Sequence, residues 1–137
     1  MKEVLKDFAK KWLKQAEYDL EDAKKAKDWK SYYLSCFLSQ QAAEKALKAY
    51  LYYAGVEIVW EHSVGALCKE AIKFDSTFEK VLSEARALDK YYIPTRCPDA
   101  LPEESVPSEV YEENDALNTL VKAEKIFSLV KEKIRQT

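Results

Sequence analysis

The sequence holds one histidine, His62. Its type titrates near neutrality, which makes it the first candidate for general acid–base chemistry. Set directly before Ser63, with no second histidine or nucleophile pattern nearby, it fits better a plainer role at a loop–helix junction whose next residue caps a helix. A second candidate set, Tyr91, Tyr92, Arg96 and Asp99, lies in YYIPTRCPDALPEESVP, the stretch that holds all four prolines of the chain. Arg96 offers a forked, permanently charged donor suited to phosphate or carboxylate, and the tyrosines offer rings for a base or sugar. The structural alternative is an Arg96–Asp99 pair, or Arg96 docked on glutamates of the body, with the tyrosines as packing. A third set, Gln40, Gln41, Glu44 and Lys48, places polar groups at helical spacing inside an apolar stretch. A buried carboxylate needs a partner, and such a cluster either reads a ligand or fixes helix register.

The elements that position these residues are helices. Gly is 2 of 137 residues, and proline is absent outside the quoted stretch, so the turn signals that sheets require are missing. Ala, Leu, Lys and Glu fill the rest, and these are strong helix formers. The spacing predicts a first helix from about Lys2 to Lys27, with Leu5, Ala9, Trp12/Leu13, Ala16, Leu20 and Ala23 as its core stripe. A second begins near Trp29–Ser31 and ends at Gly55, a natural residue past a helix C-terminus. It carries two apolar stripes, one through Leu34, Leu38, Ala42, Ala46, Ala49 and Tyr53, the other through Tyr33, Phe37, Gln40, Glu44, Leu47 and Leu51. Such a helix is central in a bundle or shared with a partner. A short helix follows around Val64–Phe74. Ser76-Thr-Phe-Glu79 has the spacing of a capping box, predicting a fourth helix from Ser76 to about Tyr91, ended by the prolines. The last helix is expected from near Ser108, with Ala116, Leu120, Ala123, Phe127, Val130 and Ile134 on its inner face. This is an all-α, up-and-down bundle of three long and two shorter helices in a single domain, 1–137.

Composition excludes several classes. With 22 basic and 24 acidic residues the net charge is −2, so no strong nucleic-acid surface and no field toward acidic membranes is expected. Residues 1–30 nevertheless carry nine lysines against seven acids, and Cys97–Val121 seven acids and no base. The three cysteines, Cys36, Cys68 and Cys97, are far apart and odd in number, which fits free thiols in a reducing cytoplasm rather than disulfides or zinc. The charged N-terminus lacks the apolar core of a signal peptide, and no apolar run approaches the length of a membrane span. No Gly-rich phosphate loop is present, and no metal or cofactor is expected.

Three stretches, WLKQAEYDLEDAK (Trp12–Lys24), FLSQQAAEKALKAYL (Phe37–Leu51) and YYIPTRCPDA (Tyr91–Ala100), resemble the prokaryotic HEPN domain, named for nucleotide binding in higher eukaryotes and prokaryotes. His62-Ser63-Val64 is similar to the family's histidine segment. Cys97 departs from the pattern, standing where the family has an aromatic residue, often Tyr. The resemblance implies a helical bundle that usually dimerises, and a companion of a small nucleotidyltransferase, sometimes in a toxin–antitoxin or defence pair. Many HEPN proteins are metal-independent ribonucleases whose site is an Arg followed within a few positions by a His on one helix. Here Arg86, Arg96 and Arg135 all follow His62, by 24 residues or more, so that motif is absent. The chain is expected to be a nucleotide-recognition and interaction module without catalysis of its own. The rival is a ribonuclease with a non-standard site built from His62, Arg96 and tyrosines.

Overall fold

The computed structural model describes residues 2–91 and 106–135. The described chain is helical: α1 (Lys2–Asp28), α2 (Tyr32–Tyr53), α3 (Val64–Phe74), a 3₁₀ segment (Ser76–Val81) leading into α4 (Leu82–Leu88), a 3₁₀ turn (Asp89–Tyr91), the single turn α5 (Pro107–Val110) and α6 (Glu113–Arg135). Among the described residues there is no strand. The three long helices and the short α3 and α4 follow the expected all-α bundle. Tyr92, Arg96 and Asp99 lie outside the described residues, as do three of the prolines and Cys97.

α2 is the central element. From Ser39 to Leu51 every residue except Gln41 and Lys45 is buried, because α1, α3 and α6 all pack on it. Ala42, Ala43, Ala46 and Ala49 have no exposed surface. Small side chains let the neighbouring helices approach closely, and the larger Leu47, Leu67, Phe78, Leu88 and Ile126 fill the space between them. The two apolar stripes of α2 are thus covered largely within one chain along its second half. Toward its N-terminus, Tyr33, Leu34, Phe37 and Leu38 are only half-buried.

The turns between helices are fixed by local chemistry. At the end of α2, Gly55 has φ +105, and the amides of Gly55 and Val56 bond to the carbonyls of Tyr52 (3.0 Å) and Leu51 (3.0 Å). This is the paired bonding of a left-handed helix terminator. α1 ends the same way, with Lys30 and Ser31 bonding Lys27 (3.0 Å) and Ala26 (2.8 Å). There the left-handed residue is Lys30, φ 65, at a cost of about 1 kcal/mol that a glycine avoids.

Two expected boundaries differ. The cap before the fourth helical segment is Asp75, not Ser76: its carboxylate accepts from the Thr77 amide at 2.9 Å. The resulting tight turn winds Ser76–Val81 as 3₁₀ before the α-helix proper begins at Leu82. The last helix does not run unbroken from Ser108. Tyr111 is extended (φ −86, ψ 137), and α6 starts after Glu112, whose amide donates to Asp115 Oδ2 at 2.9 Å. An acid three residues into a helix satisfies the preceding amide more directly than a continued helix does.

Candidate functional site

The polar residues of α2 form one hydrogen-bonded chain. Gln41 Nε2 donates to Gln40 Oε1 (2.7 Å), Gln40 Nε2 to Glu44 Oε1 (3.3 Å), and Lys48 Nζ to Glu44 Oε2 (2.9 Å). Gln40, Glu44 and Lys48 are 0%, 5% and 4% exposed, so a carboxylate and an ammonium are both withdrawn from water. That arrangement holds only because each is the other's counter-charge. The Lys48 ammonium also lies 5.3 Å from the centre of the Trp12 ring, a cation–π contact.

His62 reaches the same carboxylate from the loop after α2. Its Nδ1 lies 3.2 Å from Glu44 Oε2, while its side chain is 62% exposed. The loop is held in place by Glu61, whose Oε1 accepts from the amides of His62 (3.0 Å) and Ser63 (2.9 Å). A buried carboxylate on one nitrogen fixes the ring's orientation and favours the tautomer that carries the proton there. The arrangement can hold or move a proton at an exposed edge of the bundle.

One residue further on, Ser63 caps α3 by accepting from the Ala66 amide at 3.1 Å. The same hydroxyl donates to Asp89 Oδ2 at 2.7 Å, and Asp89 also accepts from the amides of Val64 (2.6 Å) and Gly65 (3.1 Å). Asp89 thus ties the turn that ends in Tyr91 to the start of α3, beside His62 in the chain. Gly65 permits the close approach: a Cβ there would stand 3.0 Å from Asp89 Oδ2 and 3.1 Å from Arg86 Cγ. The Tyr91 ring packs on that of Tyr111, with centroids 5.9 Å apart. The two rings therefore meet across the segment that the sequence places between them. Burial raises both phenols, Tyr111 up to about 12, so neither ionises near neutrality.

A second polar node, which the sequence patterns did not single out, runs parallel to the first. Asp19, 5% exposed, accepts from Gln15 Nε2 (3.0 Å) and Lys45 Nζ (2.6 Å). Lys11, Trp12, Gln15 and Lys45 line an open hollow of about 230 Å³ above it. The signal was present in the 3–4 spacing of Asp19 with Ala16 and Ala23, which puts an acid on the core face of α1. Asp89 carried no such signal, since its partners lie 24 to 26 residues away.

The thiols of Cys36 and Cys68 take no part. Burial pushes Cys36 and Cys68 up to about 11, and both are free. Among the described residues, no group of three or more His, Cys, Asp or Glu is arranged to hold a metal. No helix there is long and apolar enough to cross a membrane.

The family model of the HEPN domain matches residues 9–133. The chain belongs to the HEPN family. A Methanocaldococcus jannaschii protein named "Putative toxin MJ1304" is 32% identical, over 94% of this chain and 90% of its own. The crystal structure of TT1696 from Thermus thermophilus superimposes with a TM-score of 0.84 at 38% identity, covering 91% of this chain and 97% of that one. The crystal structure of ST0689, described as an archaeal HEPN homologue, gives a TM-score of 0.75 at 41% identity, over 92% and 97%. This HEPN chain thus shares its all-α bundle with both solved structures, and one relative bears a toxin's name. The resemblance seen in the three sequence stretches is therefore a family membership.

Proposed function

We propose that this HEPN chain is a nucleotide-recognition and interaction module of a toxin–antitoxin type pair, working in the cytoplasm as a homodimer beside a small nucleotidyltransferase. The observation that carries the reading is the His62–Glu44–Lys48 group. It presents an oriented imidazole at the surface and anchors it to a buried, charge-balanced pair. Asp89, two residues before Tyr91, bonds Ser63, the residue after His62, and this link supports the reading. In this reading Arg96 supplies the phosphate fork, Tyr91 and Tyr92 flank the base or sugar, and Asp99 belongs to the same site. The polar chain of Gln40, Gln41, Glu44 and Lys48 holds the floor of the site. The toxin name of the 32% identical relative supports the pair, and the transfer chemistry belongs to the partner.

The absent Arg-to-His spacing argues against RNA cleavage by the usual HEPN site. Crystals grown with ATP are expected to show nucleotide density between His62 and the Tyr91–Asp99 segment. Clear density at another place on the molecule overturns the site. Incubation with single-stranded RNA near neutral pH is expected to leave it intact. Efficient cleavage that disappears in His62→Ala promotes the ribonuclease reading instead.

A further inference from the structure

Between α2 and α3 the chain runs from Val56 to Ser63 without helix. Val56 and Val59 are half-buried and pack on the core, whereas Ile58 and Trp60 are 64% and 82% exposed. A single exposed apolar side chain is ordinary on a protein surface. These two are not isolated. With Val59 and the buried core residues Leu51 and Leu67 they line one hollow of about 170 Å³. Sites for nucleotides and cofactors occupy roughly 300–1,000 Å³, so this hollow has room for one apolar side chain and not for a ligand of that size.

The backbone of the loop is as open as its side chains. The Val56 amide is taken by the Leu51 carbonyl (3.0 Å), and those of His62 and Ser63 by Glu61 Oε1 (3.0 and 2.9 Å). Between these anchors, the amides from Glu57 to Glu61 make no hydrogen bond among the described residues. With both ends pinned, the middle of the loop is presented at little ordering cost. Open main-chain groups beside a side-chain pocket suit an extended peptide: backbone bonds give affinity, and the pocket gives selectivity.

Charge selects which peptide. Val56–Cys68 carries two acids, Glu57 and Glu61, and no lysine or arginine; Lys69 is the first base after it. Neither acid has an ion pair among the described residues, and the donors on Glu61 are backbone amides. Glu70 also lines the hollow, but Lys73 matches its charge at 3.0 Å. Lys2 and Lys6 line a different hollow, with Tyr52 and Tyr53. Two unmatched negative charges therefore stand at either end of the exposed Ile58–Trp60 stretch, four residues apart.

We propose that the Glu57–Glu61 loop is a docking site for an extended segment of a partner protein, one that carries a leucine-sized apolar side chain with a lysine or arginine two residues to either side. In an extended segment residues two apart share a face. The central side chain then enters the hollow beside Trp60, while the flanking cations lie toward Glu57 and Glu61. Trp60 shields the entering side chain from water, and tryptophan is among the residues that contribute most where proteins meet.

Fluorescence anisotropy tests this, with a labelled, amidated peptide Thr-Lys-Thr-Leu-Thr-Lys-Thr titrated with the full chain at low salt. Two control peptides carry serine in place of the leucine, or glutamate in place of both lysines. Circular dichroism verifies that each protein variant keeps its helix content. The lysine–leucine peptide is expected to bind saturably at submillimolar protein, and each control at least tenfold more weakly. Trp60→Ser is expected to weaken binding at least tenfold. Glu57→Gln/Glu61→Gln, which keeps the Glu61 acceptor oxygen and removes only charge, is expected to weaken it at least threefold. No saturable binding, or binding indifferent to either protein variant, overturns the site. Equal binding of the serine peptide overturns it as attraction by charge alone. A wild-type dimer that Trp60→Ser turns into a monomer, read by sedimentation, overturns it in favour of a second copy on this loop.

Discussion

Glu44 and Asp89 are both carboxylates held by three donors, yet their surroundings differ in kind. Asp89 takes its hydrogen bonds from a hydroxyl and two backbone amides at the start of α3. Those donors carry no formal charge, and the helix N-terminus itself favours an anion there. Every partner serves to fix where α3 begins and where the Asp89–Tyr91 turn rests. Glu44 takes its bonds from an amide, an ammonium and an imidazole. Two of those can carry charge, and one is open to solvent. The first region is a clasp, and the second has the chemistry to respond to what binds beside it.

The sharpest break is at Glu44. Glu44→Ala strands the Lys48 ammonium inside the bundle, which costs about 3–5 kcal/mol. Thermal unfolding should move down by on the order of 10 °C or more. The double variant Glu44→Leu/Lys48→Met should recover most of that loss, because a well-packed apolar pair replaces a buried ionic one with little penalty. If Glu44→Ala unfolds at the wild-type temperature, the pair is not buried as described.

Asp89→Ala should cost less, about 1–3 kcal/mol, since it leaves two amides without their acceptor while Ser63 keeps its own capping bond. Urea unfolding measures it directly. Gly65→Ala should act in the same direction by pushing the Asp89 carboxylate out of its seat. A wild-type midpoint in both would dissolve the clasp.

Asp75 combines the two kinds of partner, a backbone amide and a lysine. The Lys133 side chain (2.9 Å) and the Thr77 bonds hold its carboxyl at about 2, below its ordinary 3.8. A depressed folded value means that its contribution is complete above the ordinary value and is lost as pH falls toward about 2. Asp75→Asn keeps a capping oxygen but loses the charge paired with Lys133, and should therefore lower stability near pH 7 by up to about 1 kcal/mol, the scale of a partly exposed ion pair. The gap to wild type should narrow between pH 5 and pH 2. A gap independent of pH would mean that the lysine contact adds nothing.

The sequence made the repeating features legible and the crossing ones opaque. Leu5, Ala9, Ala16, Leu20 and Ala23 announced the core face of α1 by spacing alone, and Gly55 announced the end of α2. Gln40, Gln41, Glu44 and Lys48 stood out because polar types interrupted an apolar register, and they do form one bonded chain. Ser76 misled, because S-x-x-E is satisfied on paper while Asp75, one residue earlier, accepts from the Thr77 amide and takes the cap. The Glu44–His62 contact joins a helix to a loop 18 residues on, and no local pattern encodes such a distance. The Asp19–Lys45 pair was hidden for the same reason, spanning 26 residues between two helices.

The central claim is that His62, seated on Glu44, belongs to a nucleotide site and not to the fold. Calorimetric titration of ATP into wild type, His62→Ala and Arg96→Ala, with melting temperatures recorded in parallel, tests it most directly. His62 is 62% exposed, so its removal should shift the melting temperature by no more than a degree or two, the scale of an ordinary surface change. ATP binding to the wild type should weaken at least tenfold in both variants, and Arg96→Lys should recover only part of the Arg96 loss because the fork is gone. Wild-type protein that takes up no ATP at millimolar concentration, or binding indifferent to both variants while their melting temperatures fall sharply, would make His62 and Arg96 parts of the scaffold.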